Sequence, residues 1–307
     1  MSCRPTHLSG GLQRHPHLVA WMVACLLGLL LLPGVLPLAP YAIDLNALLQ
    51  PPGLHHWLGT DENGRDVLAR LLVGGRGTLG VALCATALAL LIGTTIGGIA
   101  GYRGGMLDAL LMRGVDLALA FPSLFAILLV AAILPPGPLL LTGLIGATGW
   151  MATARLVRAR IQSLLETGYV EAARALGTPG PRIVGRHMVP NLVDVLFVSG
   201  LVQLSRAILA EATISFLGFG IQPPVPTWGN LLIGAQHYVF TAPWLTLAPG
   251  FALIGTLLGI SGLGLSPVAS PQGSVAFGSS GEHAISAVGA GASGTNLVRD
   301  TAPFSHR

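Results

Sequence analysis

Leu79–Gly101 reads LGVALCATALALLIGTTIGGIAG and carries no charged side chain. About 20 apolar residues at 1.5 Å rise cross ~30 Å of hydrocarbon, where backbone polar groups must bond within their own segment. This run is a membrane span, and five others share its character. They are Leu18–Leu38, Leu107–Leu134 (bent where Phe121-Pro122 removes a backbone donor), Leu139–Val157, Leu192–Leu217 and a glycine-rich Trp244–Leu265. A Pro-Pro-Gly-Pro turn at Pro135 to Pro138 separates the third from the fourth. Gly93, Gly97, Gly98 and Gly101 give the small-residue spacing that lets helices approach closely.

Composition sets the same class. The chain has 307 residues, a mean hydropathy of +0.72 and 9% charged residues, against roughly 25% in an average soluble protein. A soluble core of this length would need a polar surface that these residues cannot supply. The expected fold class is therefore all-α: a polytopic membrane protein of about six transmembrane helices. Residues 1–53 form the N-terminal tail and first helix, which is read as a retained anchor rather than a cleaved signal. Residues 54–265 form the transmembrane domain. Residues 266–307 are a Gly/Ser/Ala-rich tail whose composition cannot bury enough apolar surface to fold.

The arginines give the orientation. There is no lysine, and six of the sixteen arginines lie between Arg155 and Arg186. Arg65, Arg70 and Arg76 lie on the opposite side, mixed with Asp61, Glu62 and Asp66. The positive-inside rule puts the N-terminus and the 155–190 loop in the cytoplasm. The net charge of +4 reflects this bias and implies no nucleic-acid partner. Without lysine the chain has no Gly-Lys-Ser/Thr phosphate loop and no Schiff-base chemistry. Cys3, Cys25 and Cys84 offer no metal spacing. No catalytic, cofactor or metal site is expected.

The most informative stretch is Glu166–Asn191, ETGYVEAARALGTPGPRIVGRHMVPN. Thr167–Leu176 suits a helix with apolar positions at Val170, Ala173 and Leu176, and Gly177 sits where a left-handed residue would end it. Thr178-Pro179 restarts a helix as N-cap and first residue, placing Arg182, Arg186 and His187 on a second arm. The expected product is a short cytoplasmic helix–turn–helix. Its apolar face would be bare unless a partner covered it.

Here the sequence resembles a known family. Glu171-Ala172-Ala173, Gly177 six residues after Glu171, and Pro190 thirteen after Gly177 resemble the EAA loop of ABC importer permeases, which contains the coupling helix that docks on the ATPase subunit. LGTDENGRDVLARLL at Leu58–Leu72, GYRGGMLDALLMRGVD at Gly101–Asp116, AFPS at Ala120–Ser123 and ILAEATISFLGFGIQPPVPTWGN at Ile208–Asn230 are similar to the dipeptide/oligopeptide/nickel group. The resemblance runs from about Leu54 to Gly250. It implies a permease subunit of an ATP-dependent importer working by alternating access. The implied partners are a second homologous permease subunit, two ATP-binding subunits, a periplasmic substrate-binding protein and membrane lipid. The implied ATPase-coupling residues are Glu171, Ala172, Ala173, Gly177, Arg182, His187 and Pro190. Peptides are favoured over nickel, since no span carries a His/Cys cluster, and an ion-gradient-driven carrier is the rival class. Where family members continue after the sixth span with a segment resembling NLLGDxLRDxLDPR, this chain has its Gly/Ser/Ala-rich tail. The tail either diverged or follows a shifted reading frame near Gly255 to Leu265.

Other residues have duller readings. Asp61 to Asp66 suggests a polar turn around Asn63-Gly64 rather than a calcium loop. His55-His56 reads as a solvated loop. Arg206 and Glu211 lie in the fifth span, where an ionisable side chain costs on the order of 3 kcal/mol against lipid. Five residues apart, they point about 140° from each other and cannot form a simple ion pair. Both are expected to face the bundle interior, lining a pathway or pairing structurally.

Overall fold

The computed structural model describes residues 37–264, together with Gly28, Leu31 and Gly34. The first expected span, apart from a few of its residues, and the tail 266–307 lie outside the described residues. All regular structure among them is helical. The helices are α1 (Val67–Arg103), α2 (Gly105–Ala120), α3 (Ser123–Ile133), α4 (Pro138–Leu165), α5 (Gly168–Ala175), α6 (Gly180–Ile183), α7 (Val189–Phe216), α8 (Trp228–Ala235) and α9 (Trp244–Gly264). Four of them, α1, α4, α7 and α9, are long and apolar enough to cross a membrane, and α2 with α3 adds a fifth span if the bent pair counts as one. The α2–α3 bend is 75°. It falls at Phe121-Pro122, where proline excludes the preceding residue from helical geometry.

The scaffold is a parallel pairing of α1 and α4 built on glycine. A Cβ at Gly93 would lie 2.7 Å from the Trp150 carbonyl oxygen, one at Gly97 2.3 Å from that of Ala154, and one at Gly101 2.9 Å from that of Arg158. The four-residue steps match on both helices, so a glycine ridge on α1 lies directly against the α4 backbone. Without a strong hydrophobic drive between helices in lipid, such close approach is what gives van der Waals attraction its reach. Antiparallel α7 crosses α4, with the Thr153 and Ser199 hydroxyls 3.0 Å apart. The Gln203 amide rests on Gly149, where a Cβ would come within 1.9 Å of its nitrogen. The core between α1, α3, α4, α7 and α9 contains Leu79, Ile127, Leu141, Ile208 and Ile260.

A polar knot closes one end. Trp228, only 1% exposed, donates from its indole to the Leu71 carbonyl at 3.0 Å and from its backbone to the Thr78 hydroxyl at 3.1 Å. Thr227 and Asn230 form a reciprocal capping box at the start of α8. The Asn230 amide donates to the Ile221 and Val225 carbonyls, which pins the proline-rich loop to its own helix.

Nearby, Asp61 behaves as the turn reading anticipates. Its Oδ1 accepts from the Asn63 and Arg65 amides at 2.9 Å, and Gly64 takes φ +71°. Asp66 caps α1 by accepting from the Ala69 amide. The solvated-loop reading of the histidines needs correction at His56. Its Nδ1 lies 2.9 Å from Asp66 Oδ2, tying the 51–59 loop to the helix start.

Candidate functional site: the EAA loop and the elbow pocket

The basic loop differs from an isolated helix–turn–helix in two respects. Its first arm, α5, ends as expected: Gly177 has φ +75°, and the Thr178 amide bonds back to the Ala173 carbonyl. The second arm does not stop before the fifth span. α6 passes through a π-turn at Val184–Met188 directly into α7. Pro190 explains the widened turn, because it lacks an N–H and its ring crowds the carbonyl four residues earlier. A five-residue hydrogen bond from the Val189 amide to the Val184 carbonyl absorbs that conflict. The restart is also shifted by one residue, the Pro179 carbonyl accepting from Arg182 and Ile183.

The second difference concerns the apolar face. Val170 is fully buried, packing with Ile183 and Met188 against Val157, Ile161 and Leu192. The chain therefore covers part of that face itself, and Tyr102 at the end of α1 packs its hydroxyl on Gly180. Outside remain Glu171, Ala172, Ala175 and Leu176, the last 86% exposed, with Gly177 following. Ala173 is half-buried, Arg182 and Pro190 are exposed, and His187 lies within the π-turn. The result is a stub anchored on one side and open on the other.

Two ion pairs stand above this loop. Arg158 of α4 holds Asp108 of α2 through Nε at 2.5 Å and Nη2 at 2.6 Å, and Arg155 holds Asp116. The α4 segment that packs on α5 is thus also clamped to α2. Spacing on either helix alone gave no sign of these partners.

Arg206 and Glu211 part company. Glu211 is fully buried, with its Oε1 accepting from the Ser215 hydroxyl at 2.7 Å. It belongs to the bundle interior. Arg206 does not. It is exposed on α7 and lines an open pocket of about 490 Å³ between the α2–α3 elbow, α4 and α7. The elbow creates this space by turning α3 away at Phe121-Pro122.

Residues 93–267 match the family described as the binding-protein-dependent transport system inner membrane component, covering more than half the chain. The chain belongs to this family. It is a permease subunit, a multi-pass inner-membrane protein. A putative peptide permease protein of Brucella suis biovar 1 is 39% identical over 78% of this chain and 80% of its own length. The oligopeptide transport system permease protein of Mycobacterium tuberculosis is 38% identical over 76% and 83%. The dipeptide transport system permease protein of Alkalihalophilus pseudofirmus is 39% identical over 70% and 71%. The permease match takes in the EAA loop, the elbow and Arg206.

Proposed function

We propose that this permease subunit imports di- and oligopeptides with energy from ATP hydrolysed on separate subunits, and that the Glu171–Pro190 loop couples the two. It would pair with a homologous second permease subunit in the membrane, with two ATP-binding subunits on the cytoplasmic side and a periplasmic binding protein on the other. The basic loop between α4 and α7 is cytoplasmic in this reading, as is the N-terminus. The absence of lysine leaves no phosphate loop for ATP on this chain. Peptides are favoured over nickel because the relatives above carry peptide transport in their names.

The observation that carries the coupling role is the half-anchored stub. Val170 fixes α5 to α4, while Glu171, Ala172, Ala175 and Leu176 are left uncovered. A rigid, small-residue surface of this kind can sit in a groove and pass a push to the span behind it. Closure of the ATPase pair would move α5 with the end of α4, and the Arg158–Asp108 clamp would carry α2 along. The two sides of the elbow pocket would thereby reorient, as alternating access requires.

The test is a cysteine cross-link. Ala172→Cys should cross-link to the ATPase subunit in the assembled complex, and the link should abolish ATP-driven uptake of radiolabelled trialanine. A complex in which position 172 reaches no other subunit would overturn the assignment.

A further inference from the structure

We infer that Arg206 is the carboxylate-reading residue of the translocation pathway, holding the C-terminal carboxylate of a peptide in the pocket between the α2–α3 elbow, α4 and α7. This rests on the peptide-import reading above. Arg206 lies about 26 Å along α7 from Val189 and about 15 Å before Phe216, well inside the span. At such depth an ionisable side chain is expensive against lipid and marks a pathway or a partner. Among the described residues Arg206 makes no ion pair and no hydrogen bond. Three of the described acids, on α2 and α7, are engaged elsewhere. Asp108 and Asp116 are held by α4 arginines, and Glu211 is buried against Ser215.

The pocket is suited to a small peptide. Its volume of about 490 Å³ lies inside the usual range for small-molecule sites, roughly 300–1,000 Å³. Its walls are mainly apolar, from residues such as Phe121, Ile127 and Met151, and among the described residues they include no acidic side chain. Among the described residues Arg206 is the only cation lining it. Gln203, one turn earlier, brings a second polar group to the same face, its amide seated on Gly149. A guanidinium fork binds a carboxylate through two parallel hydrogen bonds. Every unmodified peptide ends in that carboxylate whatever its side chains. A single arginine facing an apolar cavity therefore reads the shared group and leaves the rest of the peptide to non-specific packing.

The experiment uses the complete reconstituted complex and trialanine. Arg206→Gln should lower ATP-driven trialanine uptake by about 10- to 100-fold, the range for losing a charged hydrogen bond. Arg206→Lys should keep a substantial part of the rate. ATP hydrolysis stimulated by the loaded binding protein should persist in both, which separates the site from coupling. In a background with Cys3, Cys25 and Cys84 changed to Ser, Arg206→Cys should be inactive, be shielded from thiol reagents by trialanine, and recover when an aminoethyl thiol reagent restores the positive charge. Normal uptake by Arg206→Gln beside an active wild-type complex would overturn the carboxylate site alone. Failure of the wild-type complex to accumulate trialanine would overturn the peptide reading with it. Loss of subunit assembly in Arg206→Gln would assign the residue to an acid of the second permease subunit instead.

Discussion

Arg158 on α4 grips Asp108 on α2 with two nitrogens, across fifty residues of sequence and within a turn of the place where Ile161 meets Val170. Gln162 adds a 3.4 Å contact to the same carboxylate. Asp108 is 7% exposed, so removing its partner strands a largely buried charge. Arg158→Ala should therefore cost about 1–3 kcal/mol of stability. Arg158→Lys should recover only part, because an ammonium cannot form the fork. Thermal denaturation of the purified complex reads the first effect. A drop in uptake larger than the drop in folded protein reads the loss of transmission from α5 to the elbow. Equal melting temperatures for wild type and Arg158→Ala would mean that the clamp contributes nothing.

The glycine ridge makes a contrast between neighbours. At Gly97 a Cβ would lie 2.3 Å from the Ala154 carbonyl oxygen, whereas at Gly98 the nearest atom is Ile161 Cδ1 at 3.9 Å. Gly97→Ala should separate α1 from α4 and destabilise by about 1–3 kcal/mol, the usual range for overpacking. Gly98→Ala should be neutral or slightly stabilising, since helix propensity favours alanine. Folded yield in detergent and the melting temperature compare the pair directly, and similar values for the two variants would contradict the described packing.

Gly177 tests the coupling loop without disturbing any contact. Its φ is +75°, and a Cβ there would meet nothing within 4 Å. The cost of Gly177→Val is thus backbone strain alone, about 1–3 kcal/mol, concentrated where α5 ends. Membrane insertion should stay intact while uptake and transport-stimulated ATP hydrolysis collapse. A well-inserted Gly177→Val protein with normal uptake would remove this loop from the coupling.

Orientation is open to reporter fusions. A reporter active only in the periplasm should work after Gly53 or Gly220 and fail after Gly180. The reverse pattern would invert the positive-inside assignment and with it the cytoplasmic place of α5.

The sequence alone determined the class of molecule, the described spans and the local punctuation. Leu79–Gly101 had to be a helix in lipid because its backbone has no other hydrogen-bond partners there. Phe121-Pro122 had to break its helix, and Gly177 had to turn left-handed after Leu176. These outcomes depend on neighbours a few residues away, which one sequence displays in full. Only the tertiary structure decided which faces meet. Val170 reads as an unpartnered apolar residue until α4 covers it, and the second arm of the loop reads as separate from the fifth span until a π-turn carries α6 into α7. Arg206 and Glu211 differ by 140° on one helix, but nothing in that angle says which points to Ser215 and which to an open pocket. Helical periodicity fixes a side chain's direction about its own axis. Its surroundings come from residues such as Gly97 and Ala154, far apart in sequence and brought together only by packing.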